Sequence, residues 1–338
     1  MILTNILLML LGSGVSSCTQ LKKINGARLC IEDRAAIKIT PKQIVYMEAK
    51  VDSCNEKLIQ THEKSTNQVN IFSLLKDKYS SANYQLPASL IKRLKVRINH
   101  AKAKGMELKI AASSDFQKDQ YTRLIPQYIE RVLQKEVTLL SDEDEAISYY
   151  LAYKASMPPD GVLGAIWFLD KDKNILVAKN GRSQQSYHSF FAASSLREKV
   201  IEWKGSSGPS PYPIGAYHAK KAIEFASDHA NENVPDNIKE LLRTQQINGI
   251  SSLHGLIENH TGSKTTPYSR YDLELIAKKR MTRSLNYEYG DNDVVGLFLI
   301  LGYMRALDIK TILFYPVDID SSILFSPSLW KAGLSKFL

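Results

Sequence analysis

Two apolar runs, 162–169 and 174–179, constrain the fold of this chain more than any other feature. Each has the length and the branched or aromatic content of a β-strand, and only a short Lys-Asp-Lys turn lies between them. A polar connection of that length pairs them as a hairpin. The cluster Met157-Pro-Pro-Asp-Gly161 ahead of them is the clearest boundary in the sequence.

Upstream of that boundary, residues 41–155 read as mostly helical. Pro41 suits a helix start, and Ile44, Met47, Val51 and Leu58 recur at helical spacing. Residues 89–104 form an amphipathic basic helix with the stripe Leu90, Leu94, Ile98 and Ala101, closed by Gly105. A strand at 106–112 and helices at 121–132 and 142–155 follow. Downstream, helices are expected at 214–230 and, capped by Asp236 and stopped by Gly249, at 237–247. A last helix at 293–307 leads into a buried strand at 311–316. The fold class expected is α+β or α/β. Residues 1–18 form a signal segment, 19–156 a mainly helical region, and 157–338 a mixed region carrying any active site.

A chain of 338 residues can bury a large core, and its composition is that of a globular protein. The net charge of +9 favours anionic partners. Nucleic acid is not singled out, because zinc-finger spacing and an Arg-rich arm are both missing. Ile6-Leu-Leu-Met-Leu-Leu11 and the small residues before Cys18 read as a secretory signal with a lipobox-like cleavage site. The expectation is an exported cell-envelope or translocated protein, held at a membrane if Cys18 is lipid-modified. Cys30 and Cys54 then remain as an even pair, either bridged in an oxidising compartment or buried as thiols.

Five of the seven histidines fall between His188 and His260. His254 and Glu258 share one face if 252–260 is helical. His254 in the first turn is then kept neutral by the helix dipole, and Glu258 orients it or takes its proton. His188-Ser189 follows the hairpin at a strand end, where Ser189 is placed to bind a phosphate or cap the next element.

A hairpin followed by His-Ser and a downstream His-x-x-x-Glu resembles bacterial effectors and toxins of the LnaB type. These are AMP-transferases marked by a Ser and a His-x-x-x-Glu motif, and the resemblance covers about 160–260. It implies Ser189 as a phosphate or substrate contact, His254 as base or nucleophile, and Glu258 as its orienting partner. It further implies ATP with Mg²⁺, attacked at the α-phosphate, with Lys179, Arg182, Lys220 and Lys221 neutralising the phosphates, and a protein substrate.

Two other readings stand beside it. A non-catalytic surface lipoprotein would bind a protein partner through the basic helix. Alternatively, Gly290-Asp-Asn-Asp293 resembles the Gly-x-Asn-Asp block of SGNH hydrolases, with Ala112-Ser-Ser-Asp115 nearest to a nucleophile block and Asp320-Ser-Ser-Ile323 in place of Asp-x-x-His. That hydrolase is degenerate, because isoleucine cannot relay a proton.

Overall fold

The computed structural model describes residues 23–24, 27–28, 30–71, 87–118, 122–158, 163–181, 183–205, 208, 210–251, 267–281 and 291–330. Its first half is not mainly helical. Strands β1 (Ile31–Ile39), β2 (Gln43–Asp52) and β3 (Lys57–Gln68) form an antiparallel meander where helices were expected. Pro41 sits in the β1–β2 turn, closed by Thr40 N–H donating to the Gln43 carbonyl at 2.9 Å. The misreading has a physical cause. β2 is buried along nearly its whole length, so apolar residues occupy both of its faces and it lacks the alternation of a half-exposed strand. The Cys30–Cys54 disulfide ties the start of β1 to the β2–β3 turn.

Helix α1 (Ala88–Ala103) returns the chain to β4 (Glu107–Ala112), which pairs parallel with β1. Helix α2 (Leu124–Leu133) leads to the short β5 (Thr138–Leu139), parallel to β4. The first sheet therefore runs β3-β2-β1-β4-β5. Helix α3 (Asp142–Ser156) follows, started by a capping box between Ser141 and Asp144.

The second half repeats this order. The expected hairpin is present as β6 (Ala165–Leu169) and β7 (Asn174–Asn180), extended by β8 (Ser183–Ser189). Helices α4 (Ala193–Lys204), α5 (Ala216–Asn233) and α6 (Asp236–Thr244) precede β9 (Ile247–Ser251), parallel to β6. Gly249 lies inside β9 and stops no helix. Strand β10 (Pro267–Ser269), helices α7 (Arg270–Met281) and α8 (Asp291–Ala306), and β11 (Thr311–Phe314) complete the sheet. Its order is β8-β7-β6-β9-β11-β10. Both sheets are thus an antiparallel meander whose first strand also carries a parallel partner. The fold is α/β, with two mixed sheets each flanked by helices.

Helix α3 lies between the two sheets. Leu151 joins Ala36, Met47, Ala49 and Val51 on the first, whereas Ala146, Tyr149, Tyr150 and Tyr153 pack on Ile166, Phe168, Ile175 and Val177 of the second. After β11 the chain returns to the first sheet, where Ile323, Leu324, Phe325 and Trp330 cover the same face as Leu151. The outer face of the second sheet is closed by α4, α5 and α8.

Gly302 lets α8 approach α5. A Cβ there would stand 2.6 Å from Ala226 Cβ and 2.6 Å from the Ile223 carbonyl oxygen, with backbone that cannot yield locally. Gly302→Ala should therefore cost about 1–3 kcal/mol in overpacking, offset by at most about 1 kcal/mol of helix propensity. Urea unfolding should show a lower midpoint at an unchanged slope.

Candidate functional site

In open α/β sheets, ligands bind beyond the carboxyl ends of the strands. Here those ends bring three segments together around the first turn of α3. The β1–β2 turn contributes Lys42, the end of β4 contributes Ser113, Ser114 and Asp115, and the β6–β7 turn contributes Asp170, Asp172 and Lys173. The two hairpin turns hold equivalent places in their sheets, and the Lys42–Asp172 ion pair joins them. Ser194 Oγ at the start of α4 also donates to Asp172, at 2.8 Å.

Glu145 is the centre of the group, and its side chain is 1% exposed. It accepts hydrogen bonds from Lys173 Nζ at 2.6 Å, Ser114 Oγ at 2.7 Å and the Tyr149 hydroxyl at 2.9 Å. Lys38 Nζ stands 3.5 Å from its Oε1. Asp115 Oδ2 lies 3.0 Å from the same Lys173 Nζ and accepts from Ser113 Oγ at 2.9 Å. Lys38 reaches this point by strand alternation: Arg34, Ala36 and Lys38 share the face of β1 toward α3, while Ile37 and Ile39 face α1.

Burial alone would raise the Glu145 pKa, but Lys173 and Lys38, helped by Ser114, outweigh it and hold the carboxyl well below the usual carboxylate range. Burial likewise opposes charge on Lys173, and Glu145 and Asp115 overcome it, so that its pKa is raised. Tyr149 is pushed well above its ordinary value by burial and by the neighbouring Glu145.

His188, near the end of β8, adjoins this group. Its side chain is 8% exposed, and its Nδ1 lies 3.5 Å from Asp142 Oδ2 on α3. Its Nε2 is buried without a hydrogen-bond partner among the described residues. Burial keeps the imidazole neutral by lowering its pKa; Asp142 opposes this and Lys173 adds to it.

Of the residues expected to form a site, Ser189, Lys179, Lys220 and Lys221 are described. Ser189 ends β8 opposite Asn174, and its Oγ accepts from the Phe191 N–H at 3.0 Å, a local capping role. Alternation along the strand turns it away from the face of His188. Lys179 is exposed toward the far end of β7 from the Asp170 turn, and its carbonyl accepts from Gln245. Lys220 pairs with Glu224 at 3.7 Å, and Lys221 lies over the Trp203 ring at 4.5 Å. None of these bonds links the lysines to Ser189. Cys18, Arg182, His254 and Glu258 lie outside the described residues. Ser251 pairs with Leu169, so β9 ends beside the Asp170 turn.

Two other features lie elsewhere. Ligand atoms of Glu48, Glu63 and His100 fall within 4.8 Å of one another, a set able to hold a metal ion. Lys104, 2.7 Å from Glu48, and Arg97, paired with Glu63, already supply cations there. A cavity of about 420 Å³ opens between α1 and the first sheet, lined by Ile37, Ile44, Tyr46, Leu90, Leu94 and Arg97. It is largely apolar and lies on the face of the sheet away from Glu145.

No protein-family model matches the sequence, and no curated protein matches it. Solved structures do match the fold. The chain is similar to a Ppx/GppA family member from Aquifex aeolicus, with a TM-score of 0.68, 14% identity, and 89% of this chain and 99% of that chain covered. It is also similar to the type II variant of the Aquifex aeolicus Ppx/GppA phosphatase, with a TM-score of 0.65, 12% identity and coverage of 88% and 100%. An exopolyphosphatase from Cytophaga hutchinsonii matches with a TM-score of 0.59, 11% identity and coverage of 87% and 97%. What is shared at these identities is the fold, an α/β arrangement of two mixed sheets each flanked by helices.

This likeness overturns the AMP-transferase resemblance and the functions built on it, including the effector and lipoprotein readings. It spans nearly the whole chain, whereas the LnaB-type motif rested on a few residues. The hydrolase reading fails as well. Ser113 and Ser114 bind carboxylates, Asn292 lies in the first turn of α8, and Asp320 pairs with Lys64 at 2.8 Å.

Glu145→Gln would leave Lys38 and Lys173 buried without their shared counter-charge, and should cost roughly 3–5 kcal/mol at neutral pH. Because the folded pKa is depressed, the wild-type advantage is complete above the unfolded value of about 4.3 and shrinks as the pH falls below it. Thermal or urea unfolding of both proteins from pH 7 to pH 3 should show the two stabilities converging.

Proposed function

We propose that the junction between the two sheets binds the end of a phosphoanhydride chain and hydrolyses its terminal phosphate. The observation that carries this reading is Glu145, a buried carboxylate held between two buried ammonium groups, Lys173 and Lys38, at the strand ends. Phosphoryl transfer demands positive charge around the transferred group and a carboxylate to orient or deprotonate the attacking water. This group supplies both. The fold supports this reading, since the chain is similar in structure to an exopolyphosphatase and to a Ppx/GppA phosphatase.

In this reading Lys173 and Lys38 turn from Glu145 to the phosphate oxygens. Glu145, relieved of two cations, takes a proton from water as the oxygen attacks the terminal phosphorus. The bridging P–O bond breaks, and orthophosphate and a chain shorter by one unit leave. The ligand is inorganic polyphosphate or a nucleoside polyphosphate such as ATP, and Mg²⁺ enters as the chain's own counterion. Without ligand, Glu145 and Asp115 both face Lys173, and they are assigned no metal. The Cys30–Cys54 disulfide supports work in an oxidising compartment, in keeping with export.

A second reading, binding without turnover, is favoured by one observation. A carboxylate has about four acceptor sites, and those of Glu145 already face Lys173, Ser114, Tyr149 and Lys38. The two readings separate in one experiment. Phosphate release is measured from tripolyphosphate, long-chain polyphosphate, ATP and GTP, with wild type and with Glu145→Asp, which keeps the buried charge. Hydrolysis predicts release from at least one chain and a loss of about 10²–10⁴-fold in Glu145→Asp. Binding with no release from any substrate supports the second reading, and equal rates in both proteins refute the first.

A further inference from the structure

The charges at the junction cancel. Lys38 and Lys173 face Glu145 and Asp115, two of each sign, and all four side chains are at most 14% exposed. A phosphate chain entering this group brings negative charge into a poorly solvated place, where an unbalanced charge costs far more than in water. If the lysines turn to the ligand, Glu145 and Asp115 lose their partners. Something else must become positive.

We infer that His188 is that group: it takes a proton from solvent when a phosphate chain enters the junction. This rests on the reading of the junction as a phosphate site and adds to it a residue outside the Glu145 cluster. Three features of His188 carry the inference. It is buried beside the cluster, its Nδ1 stands 3.5 Å from the Asp142 carboxylate, and its Nε2 has no hydrogen-bond partner among the described residues. A neutral ring that leaves one buried nitrogen unpaired holds hydrogen-bonding capacity in reserve. Phe190 stands edge-on to the ring, with centroids 5.0 Å apart, and Lys118 lies 4.0 Å from the Phe190 ring centre.

The charged groups facing His188 are Asp142 and Glu145 from α3, Asp115 from the turn after β4, and Lys173 from the β6–β7 turn. Three are acidic and favour the imidazolium; only Lys173 and burial oppose it. Movement of Lys173 toward an anion removes its opposition, and the anion adds negative charge of its own. The balance then tips toward His⁺, paired with Asp142. No bond to phosphorus is made or broken in this step, and one proton passes from solvent to the ring.

The test is calorimetric titration of the full chain with tripolyphosphate at pH 7, in buffers of different ionisation enthalpy, which counts the protons taken up. His188→Asn keeps a neutral donor toward Asp142 and cannot be protonated. Wild type should take up more protons than His188→Asn, by a fraction approaching one, and its affinity should rise several-fold between pH 8 and pH 6 relative to the variant. Because both proteins see the same ligand, the ligand's own titration cancels. In the wild type alone, the His188 imidazole resonances should move to their protonated positions on saturation, a readout independent of how the variant folds. Equal proton counts with binding retained, or imidazole resonances that stay at neutral positions, overturn the inference and leave the phosphate site standing. Absence of tripolyphosphate binding to wild type overturns both.

Discussion

Glu145 cannot be accommodated unless both halves of the molecule surround it. A carboxylate this deeply buried is tolerated only with matched cations and donors, and no single segment supplies them. Lys38 comes from the first sheet, Lys173 from the second, Ser114 from the turn after β4, and Tyr149 from the next turn of the same helix. The side chain therefore acts as a registration mark: the two sheets and α3 must be correctly assembled before its charge is compensated. Stability and the geometry of the proposed site rest on the same few contacts, so substitutions here move both together.

The two sheets share the meander and the parallel partner on its first strand, yet the sequence shows no internal repeat. The constraints explain this. What must be repeated is a pattern of burial and of chain reversal, and many residues satisfy it. The β6–β7 hairpin was legible because its strands are rich in branched and aromatic residues and flank a short polar turn. The β1–β2 hairpin was not, since β2 is apolar on both faces and Pro41, a fitting helix-start residue, happens to occupy the turn. The third strand of that meander is polar and exposed, as suits an edge that must not pair with other chains, and it carries little periodic signal.

The site was less legible than the fold. His188 drew notice in the sequence, but its neighbour Ser189 took the chemical role, and alternation along β8 turns the two side chains to opposite faces. Glu145 was hidden in the acidic run Asp142-Glu-Asp-Glu145, which a helix dipole accounts for without any site. The available signal was finer: Glu145, Ser148, Tyr149 and Ala152 recur at the spacing of one buried helical face, where a carboxylate is out of place. Lys38 was equally visible as a cation at an alternate position in an apolar strand. Neither observation names its partner, because Lys173 lies 28 residues from Glu145 and in the other sheet.

The return of residues 319–330 to the first sheet has a consequence for biosynthesis. Arg34 on β1 donates to the carbonyl of Leu324, 290 residues later, and Trp330 lies under the same guanidinium. Translation proceeds at about 5–20 residues per second, so the inner face of the first sheet leaves the ribosome tens of seconds before its cover exists. Through that interval α3 shields that apolar face only in part, through Leu151, and its closure waits for residues 319–330.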